Sequence, residues 1–187
     1  GPVVGRGIFI ASALLSDELV HSALEPGVRA ISDGVPRDDL PEIADLWAEG
    51  SRARWTAEDM VRRLDRMIAR AGEDDSAEVA TWQDYLAESL IWAGYSNRVL
   101  GENFCDAVID AGPLQPSSAF FERAREQFTR AREIAAARSN TTLERLAIAG
   151  RAQVNMLLGD WAAAVADAAL VPTDFNYPTV AIYPSSR

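Results

Sequence analysis

The stretch 77–104, AEVATWQDYLAESLIWAGYSNRVLGENF, decides the fold. On a period of 3.6 residues, Trp82, Tyr85, Leu86, Leu90, Ile91, Trp92, Tyr95 and Leu100 point to nearly every side, and no proline interrupts them. A surface helix shows one apolar stripe, whereas a helix apolar all round lies among other helices. The spacing predicts a central helix over about 77–104 in an all-α chain.

Upstream, Ile43, Leu46, Trp47, Trp55, Val61, Leu64 and Ile68 mark the apolar face of a helix from Pro41 to Ala71, with a bend expected at Gly50-Ser51. Gly72 ends it, and Glu73-Asp74-Asp75-Ser76 supplies an acidic link and the next N-cap. A first helix is expected over Val3 to Leu24, with Ile8, Ala11, Leu15 and Leu19 inward. Between them, Glu25 to Pro41 holds three prolines and two glycines and reads as loop.

Downstream, Gly112, Pro113 and Pro116 mark another loop. Ser117-Ser118 then caps a helix to about Ala137 that carries Phe120, Phe121, Ala124, Phe128, Ala131 and Ile134 inward, with Glu122, Glu126 and Arg130 at i,i+4 spacing outside. A Ser139-Asn140-Thr141-Thr142 turn with Glu144 restarts a helix that runs to about Leu158, Gly159-Asp160 breaks it, and a short helix from Trp161 to Leu170 stops before Pro172. No strand is expected. The reading is one helical domain over 1–187, with N-terminal helices in 1–76, helix pairs in 77–172 and an irregular tail in 173–187.

One phrase occurs twice at nearly equal offsets. Ala93-Gly94-Tyr95 leads to Leu100-Gly101-Glu102, and Ala149-Gly150-Arg151 leads to Leu158-Gly159-Asp160. Small residues inside a helix let a neighbour approach closely, and the Leu-Gly-acid phrase is read as turning the chain into an antiparallel partner. Ala124, Phe128 and Ala131 then match the B-helix of a tetratricopeptide repeat, in which two alanines flank an aromatic knob. The expected architecture is antiparallel helix pairs stacked as tetratricopeptide-like repeats.

Four stretches resemble the SusD/RagB family in order along the chain. These are Ala13-Leu14-Leu15-Ser16-Asp17-Glu18-Leu19; Leu46-Trp47 with Arg52-Ala53-Arg54, where Arg54 replaces the family's Asn; Trp92 to Cys105; and Arg151-Ala152 to Val171-Pro172. The resemblance implies a lipid-anchored, surface-facing protein of an outer membrane that caps a TonB-dependent transporter and hands it glycans or peptides. It implies that this chain is an N-terminal helical part whose repeats pack on the transporter. No ligand-binding residue carries over from the family.

Composition narrows the classes further. The net charge is −10, from 18 basic residues, all arginine, and 28 acidic ones. That balance disfavours nucleic acid and anionic lipid as partners, because both need a concentrated basic footprint. One cysteine and one histidine exclude an internal disulfide and a Cys/His zinc cluster. The longest apolar runs, Ile8 to Leu15 and Ala162 to Val171, fall short of the ~20 residues of a membrane span. No signal peptide is visible, and Gly1-Pro2 reads as a protease-cleavage scar on a fragment.

The sequence points to no catalytic residue, cofactor or metal. Cys105 and His21 lack a third group to orient them and read as buried or half-buried structural residues. The acid pairs Asp38/Asp39, Glu73/Asp74/Asp75 and Asp106/Asp110 sit near helix ends and lack calcium-loop spacing. Gly5-Arg6-Gly7 follows no strand and is no phosphate loop. The stripe Arg62, Arg63, Arg66 and Arg70, beside Asp59 and Asp65, reads as a solvated face. Trp82, Tyr85, Ser89 and Trp92 could stack on a sugar but read as core. The leading expectation is a non-enzymatic uptake component whose helices act as scaffold, with an exposed apolar face where partners dock. The alternative is a tetratricopeptide-like adaptor with a polar groove built from Asn97, Arg98, Arg151 and Asn155.

Overall fold

A computed structural model describes residues 8–22, 26–37, 39–72 and 76–178. Their order is α1 (Ile8–Leu15), α2 (Pro26–Ser32), α3 (Pro41–Ala71), α4 (Ala77–Asn103), β1 (Asp106–Val108), β2 (Leu114–Pro116), α5 (Ser117–Ala137), α6 (Thr141–Leu157) and α7 (Trp161–Ala168). The fold is all-α apart from the small hairpin. Successive helices from α3 to α7 pack side by side, and α4 also touches α6, so α4/α5 and α6/α7 stack as two helix pairs.

Local chemistry sets the ends of these helices. The hydroxyl of Ser76 accepts from the Val79 N–H at 3.3 Å, starting α4. Asn140 accepts from the Leu143 N–H at 3.2 Å and Asp160 from the Ala163 N–H at 3.1 Å, starting α6 and α7. Gly159, at φ +79°, makes the turn between these last two helices, a backbone region that costs glycine nothing.

The main core joins α3 to α6 through Leu64, Leu86, Leu90, Ile91, Phe121, Phe128, Leu146 and Val154. Phe128 is fully buried between helices. A Cβ on Gly94 of α4 would lie 2.8 Å from its ring, and one on Gly150 of α6 would run into the same ring. The paired glycines of the sequence repeat therefore hold one shared aromatic knob. The second pair divides. Gly159 turns the chain, but Gly101 lies buried inside α4, where a Cβ would lie 2.6 Å from Phe121. Its expected role as a turn is corrected to one of close packing.

Two smaller clusters extend the core. Ala11, Leu14, Val28, Ile31 and Leu46 join α1, α2 and α3, while Leu100, Ala107 and Phe120 pack under the hairpin. Trp47 meets Phe104 edge-on with ring centres 5.0 Å apart.

Several expectations change. The first helix is shorter than Val3–Leu24: Asp17 takes φ +61° and ends it after Leu15, while residues 3–7, 23 and 24 lie outside the described set. The loop Glu25–Pro41 contains a helix, because Pro26 occupies its first position, where a missing N–H costs nothing. Asp106 to Pro116 forms an antiparallel hairpin with Ala107 opposite Gln115, although no strand was expected. The N-cap of α5 is Pro116, without a side-chain cap, rather than the serines. Helix α3 is continuous through Gly50, where a Cβ would lie 2.9 Å from Leu100, so that glycine serves close approach and not a bend. Trp55 is 51% exposed and does not belong to the apolar face. The described part of the tail has no helix or strand, and its Phe175 and Tyr177 pack on the main core.

Candidate functional site

Two constructions stand out, one closed and one open. The closed one begins with Arg54 and Glu58, an i,i+4 pair on the inward side of α3 whose side chains are 7% and 6% exposed. Arg54 Nη1 donates to Glu58 Oε2 at 2.8 Å. From α5, Arg123 donates through Nε and Nη2 to the two oxygens of Glu58 at 2.8 and 3.0 Å. Asn97 of α4 and Gln127 of α5 add donors to Oε1 at 3.0 and 2.9 Å. A carboxylate buried this deeply persists only when its lone pairs are met by charge-assisted donors, and these meet them.

The same two guanidiniums reach the hairpin. Arg54 Nη2 and Arg123 Nη2 bond opposite oxygens of Asp110 at 2.7 and 2.9 Å. The hydrogen bond from Arg54 is the main reason the Asp110 carboxyl is held below the usual carboxylate range. Asp110 and Ala111 both sit at positive φ, +53° and +59°, so the hairpin tip is bent into the left-handed region where the arginines hold it. Two cations and two anions balance here. No acid remains free to serve as a base, and the cluster is a fastener between α3, α4, α5 and the hairpin.

A second fastener joins α6 to α7. Arg151 grips Asp167 through Nε at 2.8 Å and Nη2 at 2.6 Å, and Asn155 adds a bond to Asp167 at 3.1 Å. The hydrogen bond to Asp167 raises the Arg151 pKa above its ordinary value. Asn97 is fully buried and Asn155 is 3% exposed. Arg98 bonds Gln153 and lies 5.3 Å from the centre of the Tyr95 ring. Each of the four residues expected to line a polar groove thus donates at least one hydrogen bond within the protein, although Arg98 Nε is buried without a hydrogen-bond partner.

The open construction is an apolar cleft between α3 and α4. A cavity of about 440 Å³ is lined by Arg52, Ala53, Thr56, Ala57, Met60 and Trp92, among others. A second of about 180 Å³ shares Ala53 and Trp92 and continues past Gly50, Tyr95, Ser96 and Val99 to Ile8. Trp92 stands at their junction, 37% exposed, its ring 6.1 Å from Tyr95 and 6.5 Å from Tyr177. Its indole N–H points to Glu88 at 3.4 Å. Burial pushes the Tyr95 hydroxyl pKa up, partly offset by Arg98.

The other sequence candidates fall into place around these. Of the aromatic strip, Trp82 packs on the core as expected, but Tyr85 is 55% exposed, and Ser89 and Trp92 face the cleft, so core packing is corrected for these three. Cys105 is exposed, against the expectation of burial. The backbone of His21 donates to Ser32, which places the histidine between α1 and α2. Asp39 pairs with Arg37, while Asp38, residues 73–75 and Gly5-Arg6-Gly7 lie outside the described residues. Arg130 bonds Asp65 across to α3 at 3.0 Å instead of pairing with its own helix. Among the described residues, no cluster of three or more His, Cys, Asp or Glu could hold a metal ion, and no helix is long and apolar enough to cross a membrane.

No protein-family model, curated protein or solved structure matches this chain.

The ionic cluster escaped the sequence reading, although part of it was visible. Arg54 and Glu58 fall on the inward arc of α3, an unusual place for two charges, and their i,i+4 spacing marks a pair. Their partners Asp110 and Arg123 come from distant elements and leave no local trace.

Proposed function

We propose that this chain is the helical scaffold of a non-enzymatic SusD/RagB-like component of an outer-membrane, TonB-dependent uptake complex, in which the α3–α4 cleft docks the transporter. The observation that carries this reading is the contrast between the two constructions. The polar clusters at Glu58 and Asp167 are locked inside the fold, whereas the accessible concavity is largely apolar and centred on Trp92. Such a surface buries favourably against another protein; its lining carries Glu49, Thr56 and Ser89, and no metal-binding cluster lies beside them among the described residues. Glycan or peptide cargo would then be bound elsewhere in the assembly. The adaptor alternative needs Asn97, Arg98, Arg151 and Asn155 on an open groove, and their internal bonds count against it.

A photo-reactive residue in place of Met60, in the protein expressed in its own cells, tests the proposal. Cross-linking to a TonB-dependent transporter supports it. Cross-linking to a different protein favours the adaptor, and the absence of any adduct sinks both.

A further inference from the structure

The basic stripe on α3 is less neutralised than its neighbouring acids suggest. Asp59 bonds Arg62 at 3.3 Å and Arg63 at 2.5 Å, but Asp65 is taken by Arg130. Among the described residues, Arg52, Arg66 and Arg70 have no ion pair, and all five arginines are exposed. At 3.6 residues per turn, Arg52, Arg63, Arg66 and Arg70 form one row. Trp55 and Arg62 flank it on one side, and Met60 and Met67 flank it on the side of the cleft. Trp55, Met60 and Met67 are 51%, 48% and 38% exposed.

This face sits on a chain of net charge −10. Concentrating arginine here opposes the charge of the remaining surface, so the face attracts what the rest of the protein repels. Arginine beside tryptophan and methionine is also the composition of protein interface cores, where lysine and glutamate are depleted. The row runs alongside the cleft, and Arg52 belongs to both, sharing the cleft lining with Met60 and with one acid, Glu49.

We infer that this face, with the Trp92 cleft, receives a polypeptide segment of the partner in which carboxylates flank apolar side chains. The apolar side chains fill the cleft over Ala53, Ala57 and Trp92, while the carboxylates meet the arginine row. A polyphosphate would satisfy the arginines and leave the cleft empty. The inference rests on reading the α3–α4 face as a docking surface, and not on the identity of the transporter.

The test uses the whole chain and three probes: a short synthetic peptide of Glu, Asp, Leu and Trp, a Glu–Gly peptide of equal charge, and vesicles containing phosphatidylglycerol. The first peptide is expected to bind, with affinity falling roughly tenfold or more between about 50 and 500 mM salt as screening shortens the reach of the charges. Arg63→Glu/Arg66→Glu should weaken it by a similar factor, as should Met60→Asp, whereas Arg145→Glu on α6 should not. If the double reversal fails to fold by circular dichroism, Arg66→Gln/Arg70→Gln replaces it. Absence of binding, equal binding of the Glu–Gly peptide, preference for vesicles, or self-association abolished by the same substitutions would each overturn the inference. A Met60 cross-link to the transporter alongside failed peptide binding would leave the docking proposal standing and remove the acidic–apolar chemistry alone.

Discussion

The ring of Phe128 fills the space that a side chain on Gly94 would need, with a built Cβ only 2.8 Å from Cε1 and Cζ. Gly150 approaches the same ring from α6. Three residues from three helices thus form one packing unit, and its tolerance to change is low because protein interiors have no slack.

Gly94→Ala and Gly150→Ala should each destabilise by about 1–3 kcal/mol, the usual cost of overpacking. Phe128→Ala should cost ~3–5 kcal/mol. Combining Gly150→Ala with Phe128→Leu should cost less than the two separate losses added together, since the smaller side chain relieves the clash. Urea denaturation of the single and double variants decides this, and strict additivity would remove the shared knob.

Glu58→Gln should cost about 3 kcal/mol or more, because it leaves buried Arg54 and half-buried Arg123 with only one carboxylate between them. Replacing Arg54 and Glu58 together with Met and Leu should cost less than Glu58→Gln alone. Equal denaturation midpoints for wild type and Glu58→Gln would show that solvent reaches the cluster.

Asp110 contributes to the acid limb of stability. Its folded pKa lies below the ordinary value, so the contribution is present above the ordinary carboxylate pKa of about 3.9 and is lost as pH falls through the folded value. Wild type should therefore be more stable than Asp110→Asn at neutral pH, with the gap closing at low pH. Chemical denaturation from pH 6 downward, in buffers of constant ionic strength, measures it. A gap unchanged at the lowest pH would place the effect in shape and not in charge.

Asn140→Ala and Asp160→Ala should each cost about 1 kcal/mol by leaving the N–H of Leu143 or Ala163 without its cap. Asp160→Ser should recover most of the loss. Thermal melts of the three variants are the check.

The second half of the fold was legible because its signals are local. Ser76 caps α4 where the sequence places a cap, α6 starts in the expected Ser139–Thr142 turn and α7 at the expected Gly159-Asp160 break, and α4 to α7 end within about two residues of expectation. Phe128 announced its role through the flanking alanines. The misses were of other kinds. Pro26 reads as a breaker in sequence, yet it is the first residue of α2. The three-residue strands are too short to show alternation. Trp55 was placed inward by residue type, yet its neighbour Arg54 holds the inward position, and adjacent residues on a helix cannot share a direction. The α3–α4 cleft has no signature in the sequence, because the apolar periodicity of α4 reads Trp92 as core. What brought Arg54, Arg123 and Asp110 together was tertiary packing, which spacing does not encode.

The fastening at Glu58 has a consequence for how this protein could change over generations. Apolar contacts tolerate a helix sliding by part of a turn, but a carboxylate held by donors from α3, α4 and α5 does not. Helix α3 is pinned from its inner side. Substitutions along its outer row can therefore accumulate without moving the backbone that displays them. One lineage could acquire a new partner there, and another could lose its own, while the inner framework stays unaltered.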